Sequence, residues 1–299
     1  MPLAAFPKCF LDAICVDKSM TVENWIDISY ELDLDGLEFY WNFVSPASPE
    51  VWKQWRKKVE AQGRSLPMMC VSPDFTLTDS SERMMQVENH KKAILATAEL
   101  GGSYCRILSG QKRPEVSRKD GIRWVAECIE QLLPFAEKAG IVLVLENHYK
   151  DGFWEYPEFA QKLDLFLELV DAIPESDWFG INYDPSNAII AGDDPLELLE
   201  CIKHRVRTMH ASDRFFEDGT FEDLQKIDVN PTTGYAGILK HGVIGRGLND
   251  YDTIFKTLNE VGFKGWISIE DGPDPITGMN DLRESALFLR RKMKDYGIS

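Results

Sequence analysis

Residues 141–148 read IVLVLENH: five aliphatic side chains followed without a break by a carboxylate, an amide and an imidazole. An ionisable group placed directly after such a run is expensive to bury unless it is paired or bound to a cation. The arrangement recurs downstream in FGINYDPSN (179–187), VRTMHASD (206–213) and WISIEDG (266–272). Four strand-like runs therefore end in Glu146, Asp184, His210 and Glu270. One such position would mean little, but four on consecutive runs are hard to ascribe to coincidence.

Upstream, further short β-like runs lie near Cys9–Ile14, Gly36–Tyr40, Ser65–Val71 and Tyr104–Leu108. The segments between runs, such as VENWIDISYELDL, PEVWKQWRKKVEAQG, SSERMMQVENHKKAILATAELGG and VSRKDGIRWVAECIEQLLPFAEKAG, have helical periodicity. Several end in Gly, as a left-handed helix cap requires. Eight strand–helix alternations predict an α/β fold, a (β/α)8 TIM barrel built as one domain over residues 1–299. A doubly wound open sheet is the alternative, but no G-x-G-x-x-G follows the first run. In a barrel all strands end on one face, so the four metal-competent side chains converge on a single pocket. The longest gap, Ala211 to Trp266, contains a polar stretch dotted with Gly and Pro, Phe215–His241. It is predicted to be an insertion between strands 7 and 8 that emerges at the catalytic mouth.

Composition excludes several classes. With 33 Lys and Arg against 49 Asp and Glu, the net charge is −16, the wrong sign for a surface that must neutralise phosphates, so no nucleic-acid partner is expected. No apolar run approaches the ~20 residues of a membrane span, so no membrane partner is expected either. The opening MPLAAFPKCFLDAI lacks a basic start and a long apolar stretch, which predicts a cytoplasmic chain. The six cysteines form no C-x-x-C pair and are read as reduced core residues.

Three carboxylates and one imidazole make a hard donor set suited to one divalent cation, Mn²⁺ first, with Mg²⁺ or Co²⁺ as alternatives. This constellation resembles the xylose isomerase-like TIM-barrel superfamily, the sugar phosphate isomerase/epimerase group, which includes ketose 3-epimerases, inosose dehydratase and endonuclease IV. The segment VIGRGLNDYDTIFKTLNEVGFKGWISIEDG also looks like that group's approach to its last strand. The resemblance implies metal ligands at Glu146, Asp184, His210 and Glu270. Endonuclease IV is set aside, because its three-metal cluster needs many histidines and this chain has five, His90, His148, His204, His210 and His241. What remains is a metal-dependent enzyme that enolises a sugar or keto-sugar by abstracting a proton next to a carbonyl.

Two outcomes are open. The resemblance to epimerases implies that Glu146 and Glu270 exchange protons with one carbon from opposite faces. His148, two residues beyond Glu146, points to the same side of an extended chain and is an alternative base; an enolate formed by it can expel a β-substituent, which is lyase chemistry. HGVIGRGLNDYD and the Glu-Asn-His strand end are similar to the catalytic subunit of bacterial C-glycoside deglycosidases. That likeness implies a 3-oxo-glycoside substrate and a smaller partner subunit beside the expected homo-oligomer. Further substrate-binding candidates are Glu38, Arg106, Asp213, Arg214 and Arg246, each with a competing reading as an ion pair or solvated loop charge; Arg106 and Glu38 are candidates to pair with each other. Trp41, Phe153 and Trp154 are read either as a stacking face or as packing at the mouth. Three ionised ligands and one divalent cation leave about one negative charge, which favours a neutral sugar or glycoside, although Arg106, Lys150, Arg214 and Arg246 are available to a phosphate. A sugar-binding barrel without catalysis is the alternative from another class.

Overall fold

The computed structural model describes residues 1–297. Its strands are β1 (Leu3–Ala5), β2 (Gly36–Leu37), β3 (Phe39–Tyr40), β4 (Met68–Cys70), β5 (Tyr104–Ile107), β6 (Val142–Glu146), β7 (Phe179–Tyr183), β8 (Val206–Ala211), β9 (Arg214–Phe216), β10 (Leu239–His241) and β11 (Trp266–Ile269). Nine of them form one parallel sheet in the order β2-β1-β11-β8-β7-β6-β5-β4-β3. β2 and β3 are two halves of one strand interrupted at Glu38. The first half pairs with β1 through Ala4↔Gly36, the second with β4 through Tyr40↔Cys70. That shared strand closes the ring, and an eight-stranded barrel results.

Among the described residues, eight helices cover the barrel, one after each barrel strand: Val22–Ile28, Pro49–Glu60, Ser80–Glu99, Arg118–Ala139, Leu163–Ala172, Pro195–Ile202, Tyr251–Glu260 and Gly278–Asp295. The helix Arg118–Ala139 shows why. Ser117 caps its start by accepting the Asp120 N–H at 3.1 Å, and Gly140 ends it at φ 70°. Ile122, Val125, Ile129, Leu132 and Ala136 between them form one buried stripe against the sheet. The core lies between this helical layer and the strands.

Two features of the sequence reading are corrected. The first strand is Leu3–Ala5, not Cys9–Ile14. Pro7, with no N–H to give a ladder, follows it, and the chain then turns into a short 3₁₀ helix and the helix Leu11–Cys15, from which Cys9 and Ile14 are buried. The strand expected at Ser65–Val71 is only Met68–Cys70; Ser65 forms an isolated bridge to Gly36 instead. The insertion after β8 is a hairpin of β9 with β10, antiparallel, carrying the helix Phe221–Leu224. A small apolar cluster, Ile189, Ile190 and Leu239, ties it to the helix Pro185–Ala191. Among the described residues no helix is long and apolar enough to cross a membrane. All six cysteines are free thiols, four of them buried.

Close approach of β8 and β11 depends on Gly265. A Cβ there would lie 1.9 Å from the Arg207 carbonyl oxygen, a backbone atom that can move only if the strands separate. Gly265→Ala is expected to destabilise the barrel by about 1–3 kcal/mol, as overpacking does, and calorimetry should show a Tm several degrees lower.

Candidate functional site

At the C-terminal ends of β6, β7, β8 and β11, the donor atoms of Glu146, Asp184, His210 and Glu270 all lie within 4.8 Å of one another, and all four residues are buried. Glu146 closes β6, and Asp184 and Glu270 follow β7 and β11 directly. The strand ends are fixed by their own hydrogen bonds: the Glu270 N–H donates to Ala211 O at 2.8 Å. Asn147 clamps Asp184 by donating to its carbonyl at 2.6 Å and accepting its N–H at 2.9 Å. Asp184 also caps the helix Pro185–Ala191, its Oδ1 accepting the Asn187 N–H at 3.1 Å and the Ser212 hydroxyl at 2.7 Å.

The His210 ring is held from both sides. Its Nδ1 lies 3.2 Å from Glu146 Oε1 and 3.3 Å from Glu270 Oε2, while Nε2 lies 2.9 Å from Glu38 Oε1. A carboxylate on the far nitrogen is the usual outer partner of a ligating imidazole, because it fixes the tautomer and leaves the other nitrogen free to coordinate. Glu38 is itself fully buried and accepts from the Cys70 thiol. Arg106 donates to Glu146 Oε2 at 2.7 Å and Asn187 Nδ2 to Glu146 Oε1 at 3.1 Å.

The electrostatics of the quartet fit a cation. Burial, with the charges of Glu146 and Glu270 adding to it, pushes the Asp184 carboxyl up to about 7. Glu146 is held at about 2 despite its burial by Arg106 and His210. Three carboxylates in so small a buried volume are therefore not all ionised comfortably by the protein's own charges, and a divalent ion would supply the missing positive charge. The donor set, one imidazole nitrogen and carboxylate oxygens, matches hard divalent metals.

Beside the quartet lies a cavity of about 220 Å³ lined by Phe6, Lys8, Tyr40, Arg106, His148 and Glu270, among others. His148 is buried, and burial, partly offset by Glu146, lowers its pKa to about 4, so the imidazole is neutral at pH 7. Its Nδ1 stands 3.8 Å from Glu158 Oε2, and neither atom has a hydrogen-bond partner among the described residues. Glu158 is anchored through its other oxygen, which accepts the Ser109 N–H at 2.6 Å and the Ser109 hydroxyl at 2.5 Å. Burial pushes Glu158 up to about 8. The folded state thus holds a proton that the unfolded state releases near pH 4.5, so the stability associated with Glu158 is full below that pH and is lost as pH rises towards about 8. Glu158→Gln should flatten this part of the stability curve between about pH 5 and 8, measurable as a smaller shift of the urea midpoint across that range.

The remaining sequence candidates divide clearly. Arg106 does not pair with Glu38; it pairs with Glu146 and reaches Ser72 Oγ at 3.1 Å. Asp213 accepts the N–H groups of Arg214, Gly245, Gly247 and Asn249 at 2.9–3.1 Å, and so shapes the Gly245–Gly247 loop. Arg214 is buried against the rings of Tyr235 and Tyr149, 4.5 and 5.6 Å from their centroids. Arg246 is exposed and pairs with Glu284 at 2.7 Å, outside the cavity. Four site residues carried no usable signal or went unread: Glu158, Lys8, Asn187 and Ser212. Lys8 Nζ lies 3.9 Å from Glu270 Oε1. For Asn187 a signal existed, because Asp-Pro-Ser-Asn is a helix start whose N3 residue lies next to the Asp184 cap.

Residues 26–292 match the family described as xylose isomerase-like TIM barrel. The inosose dehydratase of Lacticaseibacillus casei is 22% identical over 187 residues, 61% of this chain and 58% of its own length. That of Clostridium beijerinckii is 24% identical over 173 residues, 57% and 53% of the two lengths. The match thus spans little more than half the length of these curated relatives. Among solved structures, a D-tagatose 3-epimerase-like protein superposes with TM-score 0.75 at 19% identity, covering 99% of this chain and 98% of that one. The IolI protein with a bound zinc atom gives 0.73 at 15% identity, covering 99% and 98%. A protein from Mycobacterium smegmatis in complex with magnesium gives 0.71 at 17%, covering 100% and 98%. At these identities the structural likeness is one of fold, while the family match extends over most of the sequence. With its closed eight-stranded barrel, this chain belongs to the xylose isomerase-like TIM barrel family.

Proposed function

We propose that the protein is a divalent-metal-dependent enzyme that enolises a sugar or keto-sugar by removing the proton next to its carbonyl. The observation that carries this reading is the convergence of the four donors of Glu146, Asp184, His210 and Glu270 beside a cavity walled by a neutral, buried imidazole. A Mn²⁺ ion, or Mg²⁺ or Co²⁺ in its place, supplies Lewis acidity towards the carbonyl oxygen when bound by these four residues. The chain's own groups do the rest. Glu38 orients His210 through Nε2, and Asn187 and Ser212 hold the carboxylates of Glu146 and Asp184. Arg106 keeps Glu146 ionised and presents its guanidinium to the cavity, where it can bind substrate oxygens. His148 or Glu270, both on the cavity wall, accepts the carbon-bound proton.

If the proton returns to the opposite face of the same carbon, the outcome is epimerisation; if it is delivered to the former carbonyl carbon, the outcome is isomerisation. The second reading, elimination, is favoured by His148, a neutral imidazole on the cavity wall two residues beyond Glu146. In that case the electron pair of the broken C–H bond becomes the new C=C bond and the β-substituent leaves with its bonding electrons. Inosose dehydratase, as its name states, is a dehydrating enzyme, and elimination agrees with that relationship. The same reading extends to cleavage of a 3-oxo-C-glycoside, in which case a smaller partner subunit belongs to the active form.

Incubation with Mn²⁺ in D₂O against a panel of ketoses, inososes and 3-oxo-glycosides tests the proposal. Solvent deuterium should enter one carbon of at least one compound, and only with metal present; loss of a leaving group separates lyase from isomerase. Exchange that is undiminished by exhaustive chelation sinks the metal role, and an enzyme that exchanges nothing across the panel sinks the enolisation reading.

A further inference from the structure

A second cavity, about 490 Å³, opens on the same end of the barrel beside the metal cavity. It is built by residues that follow β3, β4, β5 and β6, including Trp41, Pro73, Asp74, Arg113, Phe153 and Trp154. The two cavities share Tyr40, Asp151 and Phe153. Their partition is a hydrogen-bonded unit: Asp151 Oδ2 accepts from the Tyr40 hydroxyl at 2.9 Å and the Ser72 hydroxyl at 2.6 Å, and Oδ1 accepts the Phe153 N–H at 2.9 Å. Through Ser72 and Arg106 the unit continues to Glu146. The partition is therefore positioned by the same network that positions the ligands.

The lining says what the second cavity can take. Phe153, on the shared rim, is 64% exposed, an aromatic face left to solvent at the mouth of the barrel, and Trp41 and Trp154 are only half-buried. Flat apolar faces of this kind bind rings. Arg113 and Asp74 offset each other, with Arg113 Nη2 on Asp74 Oδ2 at 2.6 Å and Gln111 Nε2 donating to the same oxygen at 2.7 Å. The remaining carboxylate of the lining, Asp151, is held by its three hydrogen bonds in the partition and disfavours an anionic ring. No lone cation is offered to a phosphate or carboxylate. Asn42, Gln86 and Asn89 bring amides suited to hydroxyls. By itself the 220 Å³ metal cavity is smaller than the roughly 300–1,000 Å³ of typical small-molecule sites, and a single sugar ring would fill it.

We propose that the 490 Å³ cavity is a subsite for an uncharged, hydroxyl-bearing ring attached to the sugar in the metal cavity, so that the substrate is a two-ring keto-glycoside and not a free monosaccharide. The ring in the metal cavity rests on the enolisation reading above; the subsite itself rests on the second cavity alone. A phenolic ring and a second pyranose share the required chemistry, a flat or CH-lined face with hydroxyls at its edge.

The Mn²⁺-loaded protein is to be given three probes, 4-nitrophenyl 3-oxo-β-glucoside, a 3-oxo-cellobiose and 3-oxo-glucose, with kcat/KM for solvent deuterium exchange as the readout. At least one two-ring probe is expected to exceed the monosaccharide by about tenfold or more, as stacking on an aromatic face permits. Which of the two does so identifies the ring. Phe153→Ala and Trp154→Ala should bring that ratio towards one. Equal rates for all three probes, or a variant that lowers all three by the same factor, overturns the subsite. Should no probe exchange, enolisation fails, and the subsite is judged separately by saturation-transfer NMR with the unreactive 4-nitrophenyl β-glucoside and cellobiose. Binding of either that weakens about tenfold in Phe153→Ala sustains it; no binding to the wild type, or equal binding to the variant, overturns it.

Discussion

Glu146→Gln is expected to lower turnover on the order of 10³-fold with the barrel still folded, because it removes one metal ligand and the charge that balances the cation. The Glu146 carboxylate is bonded to three other side chains of the site. One oxygen receives Arg106 at 2.7 Å; the other receives Asn187 at 3.1 Å and lies 3.2 Å from His210 Nδ1. Two effects on stability oppose each other. Removing a partner from a buried ion pair costs about 3–5 kcal/mol when the remaining charge is left bare. Glutamine, however, keeps an oxygen that can still accept from Arg106, and Arg106 has a second partner in Ser72. In the metal-free protein one of three crowded carboxylates also disappears, which lessens the repulsion that raises Asp184. The net shift in Tm should therefore be small beside the catalytic loss. Asn187→Ala, which disturbs Glu146 only from outside, should lose about 10–100-fold. Metal content by mass spectrometry, exchange rate and circular dichroism together check this. Full metal stoichiometry and wild-type exchange in Glu146→Gln would remove Glu146 from the site.

Much of the architecture was legible because a barrel repeats its signal. Each strand that is buried on both faces reads as an apolar run, and each covering helix carries its own stripe and cap, so an error in one unit leaves the count intact. The first unit shows this: the run at Cys9–Ile14 is helical, but Leu3–Ala5 supplies the missing strand a few residues earlier. Glu38 shows the opposite limit. A break in the second strand, with its halves paired to different neighbours, depends on closure of the ring and leaves no local mark. The metal quartet was legible because charge after an aliphatic run violates the cost of burial in four places. Glu158 was not, because it reaches the site from a loop, held by the bridge between Gln111 and Glu158 and by Ser109. Arg246 illustrates proximity in sequence without proximity in space: Asp213 gathers the glycine N–H groups on either side of it, and the side chain between them is turned out to Glu284.

His148→Ala should reduce deuterium exchange by about 10²–10⁴-fold, the range of a lost general base, while metal binding stays near stoichiometric because His148 is not one of the four donors. The expectation follows from who faces the cavity. Arg106, His148 and Glu270 line it; Glu146 does not, and its oxygens already serve Arg106, Asn187 and His210. A two-carboxylate epimerase needs both glutamates to reach opposite faces of one carbon, so the engagement of Glu146 argues against it and leaves His148 and Glu270 as the groups free to move a proton. Between these two, Glu270 is tied to His210 at 3.3 Å and held ionised by Lys8 and His210 against its burial. His148 by contrast is neutral and lies on the cavity wall, and its Nδ1 is engaged by no hydrogen bond among the described residues. If His148→Ala instead keeps most of its exchange while Glu270→Gln loses it with its metal still bound, the proton moves between carboxylates, the outcome is epimerisation, and the placement of His148 beside Glu158 is structural.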